Sequence, residues 1–256
     1  MTHSLRTALA LLVVFLPALA LAESPVIQIS GANFRPLALA NPAPQAPAEM
    51  RAQMAEFDDA LSFDLRAATI FQPLDRRSFT ADPKEGFTAE TIAFSRWSDV
   101  GAEALVKTQL SSEGGQLRAV LRLFTVGSGR QDFEVTKTAD EPRRLAHLVA
   151  DALYRYFTRE PGPFLSRIAF AVKTPQGKDI WLSDWDGKNA RAMTSGGLNL
   201  LPTVGPDGES VAYTSFRGGR PELYLQKAGG EAKPLVRSGQ MVTGVAFSPD
   251  GKRIAY

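Results

Sequence analysis

An α/β (α+β) domain followed by an incomplete β-propeller is the fold class this sequence predicts, on three observations. Up to residue 160, apolar residues at helical spacing alternate with strand-like runs. Beyond it, short apolar runs alternate with Asp-Gly and Gly-Gly turns, and the helical period is gone. Those runs recur in register every 43 residues, the length of chain that four short strands of a propeller blade need.

In chain order, residues 1–22 read as an export signal. Arg6 precedes an uncharged run from Ala8 to Ala22, and Ala20-Leu21-Ala22 forms a small-x-small cleavage site before Glu23. The run contains Pro17 and falls short of the roughly 20 apolar residues of a membrane span. Residues 23–160 read as the α/β domain. Val26 to Ile29 and Pro36 to Ala40 are short apolar stretches, the second followed by a Pro/Ala-rich turn to Pro47. From Ala48 to Ala67, the residues Met50, Met54, Phe57, Leu61 and Leu65 recur at spacings of three and four, a helix with one buried stripe. Glu49 suits the positive end of that helix. Ile70 to Leu74 returns to strand, and Ala104 to Leu110, Leu117 to Val126 and Gln131 to Thr138 are further strands. Gly114-Gly115 and Gly127-Ser128-Gly129 separate them as hairpin turns. Asp140-Glu141-Pro142 opens a second helix with the apolar face Leu145, Leu148, Val149, Ala152, Leu153 and Tyr156. The stretch Thr158 to Pro163 carries two Pro and one Gly, which break the helix and mark a boundary. Residues 161–256 then read as the first blades of a propeller.

The repeat is the most specific signal in the chain. Pro163, Pro206 and Pro249 are 43 residues apart, as are Ile168, Val211 and Ile254, then Ala169, Ala212 and Ala255, then Phe170, Tyr213 and Tyr256. Between them, Ile180 matches Leu223, Trp181 matches Tyr224, Gly187 matches Gly230 and Gly196 matches Gly239. One blade has two apolar faces and cannot bury both alone, so blades pack in a ring. Pro-Asp-Gly at 206–208 and 249–251 supplies the bend: Asp bonds its own backbone and Gly accepts positive φ. The strand after it packs between blades, with Ala at the tight contact. From Pro163 to Tyr256 there are 94 residues, about two repeats of a ring that closes with about 4–8. The expectation is therefore a fragment that lacks most of its propeller.

Composition excludes several classes of function. The chain has no Cys, which removes disulfide frameworks, Cys-ligated metals and a Cys nucleophile. A net charge of +2 does not supply the basic footprint of bulk nucleic-acid binding. Beyond the export signal one histidine remains, His147. It lies beside the apolar stripe of the second helix and reads as packed or helix-surface, because no partner spacing supports a Ser-His-Asp triad and one His is too few for a metal site. Asp184-Trp185-Asp186-Gly187 lacks the third acidic position and closing Glu of a calcium loop and reads as a hairpin turn. No phosphate-cradling Gly loop is present. Arg76-Arg77 and Arg143-Arg144 read as solvated, and Trp181 and Trp185 as blade core and rim. No catalytic residue, metal or cofactor is assigned. Export with no Cys fits a bacterial periplasmic protein held by its core.

Several stretches together resemble the TolB family of the bacterial Tol–Pal system. They are Arg35-Pro36-Leu37-Ala38-Leu39; Asp64-Leu65-Arg66 with Phe71-Gln72-Pro73-Leu74-Asp75-Arg76; Arg167 to Val172 followed by Leu182-Ser183-Asp184-Trp185-Asp186-Gly187; and Phe247-Ser248-Pro249-Asp250-Gly251-Lys252. The Asp-Leu-Arg and Pro-Leu-Asp-Arg stretches discriminate, since peptidase-associated propellers share the last one. The resemblance implies a non-enzymatic periplasmic adaptor that supports outer-membrane integrity and envelope constriction in cell division. It implies a ring of six blades, about two of them present here. It further implies that an N-terminal partner segment, Glu23, Ser24, Pro25, Val26, Ile27, Gln28 and Ile29 within Glu23 to Phe34, docks with TolA. The propeller would dock with the lipoprotein Pal through channel-mouth loops ahead of each Pro-Asp-Gly turn: Leu200, Leu201 and Pro202, then Met241, Val242, Thr243 and Gly244. Met241 stands where the family pattern leads to a polar or His side chain. The residues alone leave Glu23 to Phe34 open between an edge strand that a partner augments and a plain first strand. Two other functions stay open as well: the gating propeller of a serine peptidase whose catalytic domain lies elsewhere, and a propeller that binds sugars or peptides.

Overall fold

The computed structural model describes residues 35–236 and 244–256. The export signal and the Val26 to Ile29 run lie outside the described residues.

The first part is a five-stranded sheet between two layers. Strand β1 (Leu37–Ala40) leads through a 3-10 turn at Ala48–Met50 into helix α1 (Arg51–Ala67) and back to β2 (Phe71–Pro73). A short helix, α2 (Phe94–Asp99), precedes β3 (Ala104–Glu113), β4 (Gln116–Thr125), β5 (Arg130–Ala139) and helix α3 (Pro142–Thr158). The order in the sheet is β2-β1-β3-β4-β5, with β1 parallel to β2 and β3 and the rest antiparallel. Gly114 and Gly115, both at positive φ (59° and 85°), make the two-residue turn between β3 and β4 that the Gly-Gly pair predicts.

Alternation along the strands divides the apolar residues between two cores. Leu39, Val106, Leu121 and Leu123 face α1 and α3, where Phe57, Leu61, Leu65, Leu145, Val149 and Leu153 cover them. Ala40, Leu105 and Phe124 face the opposite side, where Ile92 and Trp97 close a smaller core. The helix α2 that carries Trp97 is absent from the sequence expectations. Its six residues are too few to show a period, and what holds it is the buried Glu85. The Glu85 carboxylate accepts from Trp97 Nε1–H (2.9 Å), the Ala93 amide (2.8 Å) and Lys107 Nζ (3.1 Å).

Helix α3 ends with Arg159 at φ 66°, after which Pro161-Gly162-Pro163 turns the chain. The amide of Gly162 donates to Asp151 Oδ1 at 2.7 Å, and Phe164 is buried in the α/β core. Then come β6 (Arg167–Thr174), β7 (Gly177–Asp184) and β8 (Arg191–Ala192), hydrogen-bonded in that order. A complete four-stranded blade follows: β9 (Asn199–Val204), β10 (Ser210–Ser215), β11 (Glu222–Lys227) and β12 (Lys233–Val236). A third unit begins with β13 (Ala246–Phe247) and β14 (Ile254–Ala255).

The repeat register becomes packing. Val211 and Tyr213 on one face of β10 meet Ile180, Leu182 and Met193 of the first blade. Ala212 on the other face meets Leu223, Leu225, Val236 and Phe247. Ile168, the counterpart of the fully buried Val211, is 43% exposed, because no described residue covers that face of the first blade. Among the described residues no helix is long and apolar enough to cross a membrane.

Candidate functional site: a partner-facing edge and the domain junction

The proposed channel-mouth residues fall partly within the described structure. Leu200, Leu201 and Pro202 do not form a loop, as the sequence reading has it; they lie inside strand β9, at the edge of the four-stranded blade. The reason for the misreading is a bulge. Leu200 pairs with Thr214 and Thr203 with Ala212, so Leu201 and Pro202 together oppose Tyr213. Leu201 takes φ 52°, a left-handed backbone usually left to Gly or Asn, and its side chain is 41% exposed. Pro202 lacks an N–H, which suits an edge strand. The Thr203 hydroxyl donates to the Val245 carbonyl at 3.1 Å, which brings β9 beside Gly244, itself exposed. Met241, Val242 and Thr243, like Glu23 to Ile29, lie outside the described residues.

The most developed polar site is one the sequence reading passed over. It lies where the first blade meets α1 and α3. Asp64, on the buried face of α1, is wholly enclosed. Its Oδ1 accepts from Trp185 Nε1–H at 2.7 Å, and its Oδ2 lies 2.7 Å from His147 Nδ1 on α3. Asp186, next to Trp185 in the turn between β7 and β8, accepts from Arg143 Nε at 3.1 Å and from a terminal nitrogen of the same guanidinium. Arg143 also donates to Asp59 of α1 at 2.9 Å. Edge-on contacts of Trp185 with Phe63 and Phe164, ring centroids 5.5 and 5.4 Å apart, complete the junction.

Burial pushes the Asp64 carboxyl above the ordinary carboxylate range, against the opposing pull of His147 and Trp185. At Asp186 burial acts upward too, but hydrogen bonds from Arg143 and the Lys188 amide, with the charges of Arg143 and His147, outweigh it and hold the group low. For Arg143, burial acts downward and is outweighed by Asp186 and Asp59, so its guanidinium is held above its usual range.

Three sequence readings change here. Arg143 is buried and paired rather than solvated, because the blade covers the face of α3 that an isolated helix would show to water. Arg76 is half-buried and forked onto Asp58 at 2.6 and 2.7 Å; Arg77 remains exposed, paired with Asp75. Trp185 is neither blade core nor rim but a plug in the neighbouring core. His147 is packed, and Asp184 to Gly187 is a hairpin turn, as read from the sequence. Arg143, His147 and Asp151 recur every four residues along one side of α3, a polar stripe that has the pattern of a solvated face, so the sequence carries no local signal that the blade covers it.

With this geometry in place, comparison with known proteins adds two matches. A profile described as the TolB amino-terminal domain matches residues 25–132, and one described as the TolB beta propeller domain matches residues 154–256. The chain belongs to the TolB family. A Tol-Pal system protein TolB from Myxococcus xanthus (strain DK1622) is 56% identical over 213 residues, covering 82% of this chain and 49% of the relative. One from Anaeromyxobacter dehalogenans (strain 2CP-C) is 40% identical over 259 residues, covering 98% of this chain and 59% of the relative. The chain thus spans about half to three-fifths of the length of these TolB relatives. The crystal structure of TolB from Acinetobacter baumannii superposes with a TM-score of 0.71 at 23% identity, over 86% of this chain and 54% of that one, and shares the fold. The TolB discriminating stretch has a structural meaning here: Asp64 is the junction acceptor, and Arg76 ties the end of β2 to α1 and to the Asn41 carbonyl.

Proposed function

We propose that this chain carries the α/β domain and first propeller blades of a non-enzymatic periplasmic adaptor of the Tol–Pal system. In this reading the propeller binds the lipoprotein Pal and the segment Glu23 to Ile29 binds TolA. The complex then maintains outer-membrane integrity and supports envelope constriction during division. The observation that carries the reading is the match to both TolB profiles in the same order along one chain, with relatives named for the Tol–Pal system. The exposed Leu201, held at positive φ on an edge strand beside Gly244, gives the propeller side a local apolar contact point. The gating propeller of a peptidase finds no support in the relatives' names.

Affinity capture tests the proposal. The full-length gene product, as bait in envelope extracts, should retain Pal and TolA. Deletion of residues 23–34 should abolish TolA capture and leave Pal capture. Leu201→Asn, which keeps a left-handed backbone, should weaken Pal capture alone. Failure of the intact bait to retain Pal would refute the propeller assignment.

A further inference from the structure

His147 stands between two parts of the molecule and two carboxylates. Its Nδ1 bonds Asp64 at 2.7 Å, while its Nε2 is buried with no hydrogen-bond partner and lies 3.6 Å from Asp186 Oδ2. Asp64 and His147 belong to helices; Asp186 belongs to the blade. We propose that Asp64, His147 and Asp186 form a proton-operated latch that holds the first blade against α1 and α3 when the imidazole carries both N–H groups, and loosens when Nε2 loses its proton.

The argument is one of charge and direction. A carboxylate accepts, so the Nδ1–H points at Asp64. A protonated ring also places positive charge 3.6 Å from Asp186 Oδ2, an ion-pair rather than a hydrogen-bond distance. A neutral ring with its proton on Nδ1 instead leaves an enclosed, unpartnered nitrogen beside that carboxylate. The other charged groups around the ring are Asp59 on α1; Arg143 and Arg144 on α3, with Glu141 at its start; Arg167 on β6; and Asp184 beside the turn. Arg167 pairs with Asp184 at 3.0 Å, and Arg143 is shared between Asp186 and the more exposed Asp59. Arg143 balances Asp186, and an imidazolium balances Asp64 when that carboxyl, pushed up by its burial, is ionised. With Asp64 ionised, removal of the imidazole proton leaves one buried negative charge without a counterpart, which buried sites tolerate poorly. A small cavity of about 40 Å³ borders His147 and is lined by Glu141, Arg144, Phe164, Ser166, Arg167 and Asp184; it has room for water, while Nε2 itself is enclosed. Histidine is the side chain whose charge changes in the neutral range.

The test is a pH series from 5 to 8 on the full chain, which holds two histidines, His3 and His147. The imidazole signal lost in His147→Gln identifies His147, and the indole N–H signal of Trp185 reports its bond to Asp64. Because the closed state holds one more proton than the open one, the closed-to-open ratio should fall with rising pH, by up to about tenfold per unit. The thermal midpoint should fall in parallel, and the Trp185 signal should shift over the same range as the imidazole. His147→Gln should be flat across the range, and Asp186→Asn, which removes the facing carboxylate, should show a shallower dependence. If His147→Gln fails to fold, Asp186→Asn carries the test. Equal slopes in the wild type and a folded variant, or a Trp185 signal that stays fixed while His147 titrates, would overturn the latch and leave His147 as a packed residue only.

Discussion

Replacement of Trp185 by Phe isolates the bond on which the domain junction turns. The substitution keeps a ring against Phe63 and Phe164 but removes the Nε1–H that reaches Asp64 Oδ1 at 2.7 Å. Asp64 is wholly buried, and Trp185 is the one donor to Oδ1 among the described residues. A hydrogen bond to a charged group contributes about 1.5–3 kcal/mol, and an unsatisfied buried acceptor costs at the upper end of that range. The smaller ring adds roughly 1 kcal/mol of lost packing, so the expected loss is about 2.5–4 kcal/mol. Near 3 kcal/mol, the thermal midpoint of a chain of this size drops by about 6–12 °C. Calorimetry on wild type, Trp185→Phe and Trp181→Phe measures it. Trp181 lies on the half-exposed face of the first blade, so its change should stay below about 1 kcal/mol. Equal shifts for the two variants would show that ring volume, not the bond to Asp64, holds the junction.

Three further outcomes follow from packing and charge. Ala212→Leu, at a wholly buried position between the second blade and the third unit, should cost about 1–3 kcal/mol in urea unfolding through overpacking. Lys107→Met leaves the buried Glu85 carboxylate without its cation and should cost about 3–5 kcal/mol, whereas adding Glu85→Gln to it should recover part of that loss in the same assay. Asp186 is held low in the folded state, so the stability it contributes is present above its unfolded value of about 3.9 and lost as pH falls through its folded value. Asp186→Asn should therefore flatten the acid limb of the thermal midpoint below about pH 4; Asp64, held high by burial, has the opposite sign and offsets part of the wild-type slope.

What was legible in the sequence was what periodicity reports. The stripe Phe57, Leu61 and Leu65 gave α1, the Gly-Gly pair gave the β3–β4 turn, and the 43-residue register placed Val211 and Ala212 on opposite faces of β10. Period fails where one element meets two partners. The polar stripe of α3 looked like a solvated face because nothing local shows that the blade covers it. The β9 bulge was hidden for a different reason: Leu201 adopts positive φ without the Gly or Asn that usually announces it. Helix α2 was missed because its order comes from Glu85, a long-range anchor.

The polar character of the junction bears on what it does. Apolar faces tolerate sliding, since the hydrophobic effect has no direction. A buried carboxylate held by an indole and an imidazole, each at 2.7 Å, accepts one orientation. Phe164 and Trp185 join the apolar core of the α/β part, and the charged groups beside them fix the direction in which the blade meets it. A double-mutant cycle separates this role from simple adhesion. If Asp64 and Trp185 act as a pair, Asp64→Asn with Trp185→Phe should show a coupling of about 1–3 kcal/mol. The double variant should also lose the fixed angle between blade and sheet in residual dipolar couplings while each part keeps its own internal geometry. A coupling near zero with the angle preserved would assign the placement to Phe164 and the linker turn instead.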